Sequence, residues 1–138
     1  MRLRKETYEF VERLLSSHPA PYYLTEHGFP HVEKVLKISD ILANLVGLNE
    51  EERKLLEASV LLHDIGNAID RRYHHICSVK LIAKMCGIEP PIDVSACPGD
   101  LDIDHELTEL SKEECRLVAE IVYYHRRKTG PIDTKEVV

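Results

Sequence analysis

The stretch SVLLHDIGN, residues 59–67, reads as an apolar helix running into its stop signal, with Gly66 ending the run. Its last turn carries His63 and Asp64 side by side. A carboxylate there faces the negative end of the helix macrodipole, at a cost of roughly 0.3–1 kcal/mol. A cation held beside Asp64 would remove that cost. Whether the pair belongs to a cation site depends on which other side chains meet it.

Helical periodicity dominates on both sides of this stretch. A first helix is expected from about Arg4 to Ser17, with Tyr8, Val11, Leu14 and Leu15 on one side, ended by SHPAP. A second starts near Pro30, since proline suits a first helical turn, and Gly47 stops it. Its stripe is expected to be His31, Val35, Ile38, Leu42 and Leu45, widened by Val32, Leu36, Ser39 and Val46. Asn49 and Glu52 form a capping box for the third helix, which ends at Gly66. The fourth runs from Arg72 or Tyr73 to Met85. The fifth opens with the capping box Ser111–Glu114 and fades after His125. No convincing strand alternation exceeds four or five residues. The fold class is all-α: a compact bundle of five or more helices in one domain over residues 1–138. Residues 87–110 form a connection long enough to be functional or mobile.

The connections at 47–49 and 66–72 are short, so helices two, three and four should run antiparallel in turn. His31 at the start of the second, His63-Asp64 at the end of the third and His74-His75 at the start of the fourth then share one end of the bundle. His125 joins them only if the fifth helix also reverses. A lone histidine on an apolar face is ordinarily a hydrogen-bonded core residue, but several imidazoles and one acid meeting at a bundle tip suit Mn²⁺, Fe²⁺, Co²⁺, Ni²⁺ or Zn²⁺.

Composition bounds the rest. A net charge of −6 argues against a general nucleic-acid or anionic-membrane binder. No apolar run approaches membrane-spanning length, and MRLRKETYEF lacks a signal peptide's apolar stretch, so a cytoplasmic protein is expected. Cys77, Cys86, Cys97 and Cys115 contain no C-x-x-C pair and are read as reduced, partly buried thiols. GDLDIDHEL fails as a calcium loop, because His105 and Ser111 stand where glycine and glutamate are needed. It is read instead as an acidic, solvent-facing loop and a candidate lid. His18, His27 and His105 are read as solvated, and Tyr123-Tyr124 as a core anchor.

The segments HGFPHVEKVLKIS, LEASVLLHDIGN, YHHICSVKLI and AEIVYYHRRKTGP together resemble the HD-domain metal-dependent phosphohydrolase superfamily over roughly Glu26 to Pro131. YHRRKTGP is also similar to the end of the HD domain attached to exopolyphosphatases and pentaphosphate phosphatases. The resemblance implies a divalent metal cofactor (Mn, Fe, Co, Ni, Zn or Mg). His31 matches the first ligand, His63 and Asp64 the doublet, and His74 a helix-start histidine that binds a second ion or phosphate, with His75 as its rival. His125 matches a later histidine of the same kind. Arg72, Arg126 and Arg127 stand where guanidinium groups hold phosphate. The family's further downstream aspartate has no clear counterpart. Asp133 follows Gly130-Pro131, and the domain is read as lacking the family's last helix.

The resemblance implies hydrolysis of a small phosphate ester such as a nucleotide or phosphorylated metabolite. Asp64 ligates and orients the nucleophile, and His74 or His125 protonates the leaving oxygen. The alternative is a non-catalytic HD module that binds a nucleotide or a partner protein. A homo-oligomer is compatible with either.

Overall fold

The computed structural model describes residues 2–17 and 29–129, without the side chains of 17, 29 and 125–129. The described residues form five α-helices and one 3-10 turn, with no strand among them: α1 (Lys5–Ser17), α2 (Phe29–Val46), α3 (Glu50–Leu62), the turn Ile65–Ala68, α4 (His74–Cys86) and α5 (Lys112–Thr129). The all-α bundle expected from periodicity is the observed architecture.

The helix ends follow local chemistry. Gly47, at φ +83°, lets the α2 C-terminus turn back so that its own N–H and that of Leu48 both reach the Ala43 carbonyl. Two residues later α3 begins with a reciprocal cap. The Glu52 N–H donates to Asn49 Oδ1 at 2.8 Å, and the Asn49 N–H donates to Glu52 Oε1 at 2.9 Å. Ser111 and Glu114 cap α5 in the same way. With so short a turn, α3 runs back along α2.

Helix α3 lies between α2 and α5, and α4 packs on α5 and on the 3-10 turn. Leu61, Leu62 and Ile65 meet Leu81 and Ile82 of α4, Val118 and Val122 of α5, Val11 of α1 and Val32 of α2 in one core. A disulfide joins Cys86 at the end of α4 to Cys115 at the start of α5. Helix α5 therefore starts where α4 ends and runs back toward the His74 end, the reversal His125 needed. His125 lies ten residues beyond Cys115, about 15 Å along the helix, near the level of the α4 N-terminus.

Several expectations are corrected. The core stripe of α2 is Val32, Leu36, Ser39 and Ala43, whereas Ile38, Leu42 and Leu45 are open to solvent. The two rows are both apolar, and only packing against α1 and α3 selects between them. In α5 likewise, Val118, Ala119 and Val122 are inside while Ile121 and Tyr124 are half exposed; of the tyrosine pair only Tyr123 packs on the core. Finally, the cysteines are not free thiols. A second bridge links Cys77 to Cys97, which lie 20 residues apart and meet only because the 87–111 connection runs back along α4.

That connection is fastened rather than loose. Lys80 Nζ donates to the Gly99 carbonyl at 2.7 Å, Lys84 holds Asp100 and the Leu101 carbonyl, and the Leu107 N–H caps Met85. Asp100, Asp102 and Asp104 face solvent as expected, while Leu101 and Ile103 between them pack on the core. His105 is not solvated. Its ring stacks on Phe10 at 5.0 Å, and its Nε2 lies 2.7 Å from the buried Thr7 hydroxyl. That hydroxyl donates to Glu109, so Nε2 carries the proton and donates to Thr7. The segment is thus tied to α1 and α4, and also to α3 through Lys54 and to α5 through Lys112. His18, His27 and Asp133 lie outside the described residues.

Candidate metal centre

The turn after α3 is built by close approach. A Cβ on Gly66 would lie 1.9 Å from the His74 carbonyl oxygen and 2.5 Å from the Ser78 nitrogen, so no other residue fits there without backbone movement. The buried Ser78 hydroxyl pins the same junction. It accepts from the Gly66 N–H at 2.7 Å and donates to the His63 carbonyl at 3.0 Å. That carbonyl is one of the α3 C-terminal acceptors left without a helical partner. Helix α3 ends at Leu62 with His63 as its cap residue, and Asp64 stands one residue beyond, opening the 3-10 turn. The first turn of α4 is held against it.

His63 Nδ1 lies 2.6 Å from the Val60 carbonyl, and His74 Nδ1 lies 2.8 Å from the Arg71 carbonyl. A carbonyl only accepts, so both Nδ1 atoms carry protons, and each Nε2 either bears a second proton, as an imidazolium donating to Asp64, or turns its lone pair to a metal ion. These two nitrogens face the two oxygens of one carboxylate. His63 Nε2 is 3.1 Å from Asp64 Oδ2, and His74 Nε2 is 3.4 Å from Asp64 Oδ1. Lone pair against carboxylate repels unless a positive charge stands between them.

The electrostatics carry the same message. Burial works to raise the Asp64 carboxyl, but hydrogen bonds from His63 and His74 and their charges outweigh it and hold the group well below the usual carboxylate range. Burial pulls His63 down, yet its hydrogen bond and attraction to Asp64, with the Val60 carbonyl, leave it raised. The pocket of donors favours a cation, whether proton or metal.

Two triads share Asp64. His31, His63 and Asp64 each offer a ligand atom within 4.8 Å of the others, and so do Asp64, His74 and His75. The His31 and His63 rings lie 6.4 Å apart between centroids, and those of His74 and His75 lie 3.9 Å apart. Every histidine expected at this tip within the described side chains is thus present, and His75 joins His74 rather than replacing it. Arg72 is exposed on the turn before α4, its guanidinium 5.6 Å from the Tyr73 ring centroid. His125, Arg126 and Arg127 belong to the last turns of α5, and their side chains lie outside the described residues. Ser78 was missed as a functional residue. Its signal was present, four residues after His74 on the same helix face.

A buried carboxylate whose two oxygens face His63 Nε2 and His74 Nε2, with His31 and His75 in reach, is a donor set suited to divalent transition metals. The residues fit such an ion. Among the described residues no helix is long and apolar enough to cross a membrane. No curated protein and no solved structure matches the chain. The family model described as HD domain matches residues 28–137, a span holding both triads. By that match, and by the His/Asp centre it covers, the chain belongs to the HD-domain family of metal-dependent phosphohydrolases.

Proposed function

We propose that the chain is a phosphohydrolase acting on a small phosphate ester, a nucleotide or a phosphorylated metabolite, with the two triads as its metal centre. The observation that carries this reading is the shared carboxylate: each Asp64 oxygen faces a different imidazole Nε2. His31, His63 and Asp64 hold one divalent ion, and His74 and His75 with Asp64 are positioned for a second. An ion held there supplies Lewis acidity toward a phosphoryl oxygen and lowers the pKa of water near it.

The chain's own groups do the rest. The Val60 and Arg71 carbonyls lock the His63 and His74 tautomers, so the coordinating nitrogens need no reorganisation when substrate arrives. Asp64 orients the nucleophile. His74, on the more open side of the cluster, or His125 delivers a proton to the leaving oxygen. Arg72, Arg126 and Arg127 bind the anion, as planar guanidinium groups do for phosphate. The net negative charge of the chain supports a small anionic substrate at a local basic site rather than a nucleic acid or membrane surface.

Such substrates support a cytoplasmic location for the protein. The two disulfides are the feature least at home in a reducing compartment, and a free-thiol count on protein trapped directly from cells tests that placement.

The test of function is elemental analysis of the gently purified chain, followed by a panel of phosphate monoesters and diesters with Mn²⁺, Co²⁺, Ni²⁺, Zn²⁺, Fe²⁺ or Mg²⁺. Metal-dependent turnover that vanishes in Asp64→Asn is the expected result. Absence of both metal and turnover overturns the reading. A second reading, a non-catalytic module, draws on one observation: among the described ligand candidates Asp64 is the sole carboxylate. A nucleotide that raises thermal stability without metal and is never hydrolysed would favour it.

A further inference from the structure

Helix α2 turns its most apolar row away from its own protein. Ile38, Ile41, Leu42 and Leu45 follow at i, i+3, i+4 and i+7, the spacing of a packing seam. They are 50%, 60%, 53% and 77% exposed, and neighbouring Val46 is 74% exposed. Isolated exposed leucines mean little, but these five lie in one stripe along two turns. Together they leave on the order of 500 Å² of apolar surface open, against the ~800 Å² that each partner contributes to a standard interface.

We infer that this stripe is the seam of a homodimer, in which α2 of one copy lies antiparallel against α2 of a second copy about a two-fold axis near Ile41 and Leu42. The charges at the two ends of the helix select this occupant. Lys34 extends the stripe at its N-terminal end, four residues before Ile38. Just past its C-terminal end stand the exposed Glu50, Glu51 and Glu52; Glu50 also pairs with Arg2 at 3.3 Å and Glu52 closes the α3 cap, and the three acids still outnumber the one cation. Antiparallel pairing brings the basic end of each copy to the acidic end of the other, whereas parallel pairing would set like charges together. A two-fold contact needs such a self-complementary patch, apolar in the middle and opposite in charge at its ends. The 18-residue helix, about 27 Å long, provides it on one straight element. Helix α5 offers a poorer surface. Leu117, Ile121 and Tyr124 are 40–49% exposed, and the partly buried Glu120 interrupts their row.

Sedimentation velocity and light scattering on the full chain at micromolar concentrations test the inference. The expected mass is twice 15.8 kDa. Ile41→Asp and, independently, Leu45→Glu should weaken association at least about tenfold while far-UV circular dichroism is unchanged, since both positions are open in the protomer. Lys34→Glu should weaken it several-fold, and Ile121→Asp on α5 should leave it intact. Wild-type protein that stays at 15.8 kDa overturns the inference, as does a dimer indifferent to both α2 variants or one broken only by Ile121→Asp.

Discussion

Gly66 and His74 meet backbone to backbone: a methyl group on Gly66 would stand 1.9 Å from the His74 carbonyl oxygen. This contact brings the start of α4 against the end of α3, and with it His74 Nε2 to 3.4 Å from Asp64. The glycine is needed for space, not for a left-handed backbone, since the described positive-φ residues are Gly47 and Gly87.

Gly66→Ala should therefore do two things at once. The clashing atoms are backbone, which no rotamer change relieves, so the fold should lose about 3 kcal/mol or more in urea unfolding. What folded protein remains should bind metal more weakly, because α4 is pushed off the turn. Ser78→Ala gives a graded comparison. It strands the buried Gly66 N–H and the His63 carbonyl and should cost about 1–3 kcal/mol. Unchanged stability in both variants would show that the junction is not what aligns the site.

Metal should stabilise the chain through Asp64. At about a hundred times the dissociation constant, an ion that binds only folded protein adds ~2.7 kcal/mol, on the order of 5–10 °C in Tm for a domain of this size. Differential scanning fluorimetry with Mn²⁺, Ni²⁺ or Zn²⁺, and after chelation, measures this. In Asp64→Asn the shift should vanish, since both triads lose their shared ligand. A full shift in that variant would place the metal elsewhere.

Glu114 gives a pH dependence away from the metal. The Ser111 N–H, opposed by partial burial and helped by Lys54 at 3.1 Å, lowers its carboxyl from 4.5 to about 2. A depressed carboxyl stabilises the fold fully above its unfolded value and loses that contribution as pH falls through the folded value. The Tm difference between wild type and Glu114→Gln should thus be about 2–5 °C at pH 7, shrink below pH 4.5 and disappear near pH 2. A difference that persists at pH 2 would assign it to packing instead.

The disulfides close segments of 20 and 29 residues. On loop entropy, each should contribute about 3 kcal/mol against its reduced form. Urea unfolding with and without a phosphine reductant reads this, with Cys77→Ser/Cys97→Ser and Cys86→Ser/Cys115→Ser separating the two. Because Cys77–Cys97 fastens the 87–111 connection, its loss should also speed hydrogen exchange around Lys80 and Gly99. Two free thiols per bridge in native, unreduced protein would refute the pairing.

Much of this protein was legible from residue order alone, because the signals concerned are local. Capping boxes at Asn49–Glu52 and Ser111–Glu114, the stops at Gly47 and Gly87, and apolar periodicity act over a few residues, and they gave the helices and the all-α class. Short connections at 47–49 and 66–72 forced antiparallel neighbours, which placed His31, His63-Asp64 and His74-His75 at one tip. Tertiary structure decided what depends on distant surfaces. Helix α2 carries apolar residues on two rows, and only contact with α1 and α3 determined that Val32 and Ala43 go inside while Ile38 and Leu45 stay out. Cysteines 20 and 29 residues apart carry no pairing information until the 87–111 connection folds back on α4. Spacing likewise shows that imidazoles are near Asp64, but which ring nitrogen faces it was set by the Val60 and Arg71 carbonyls, whose positions exist only once the turn around Gly66 has closed.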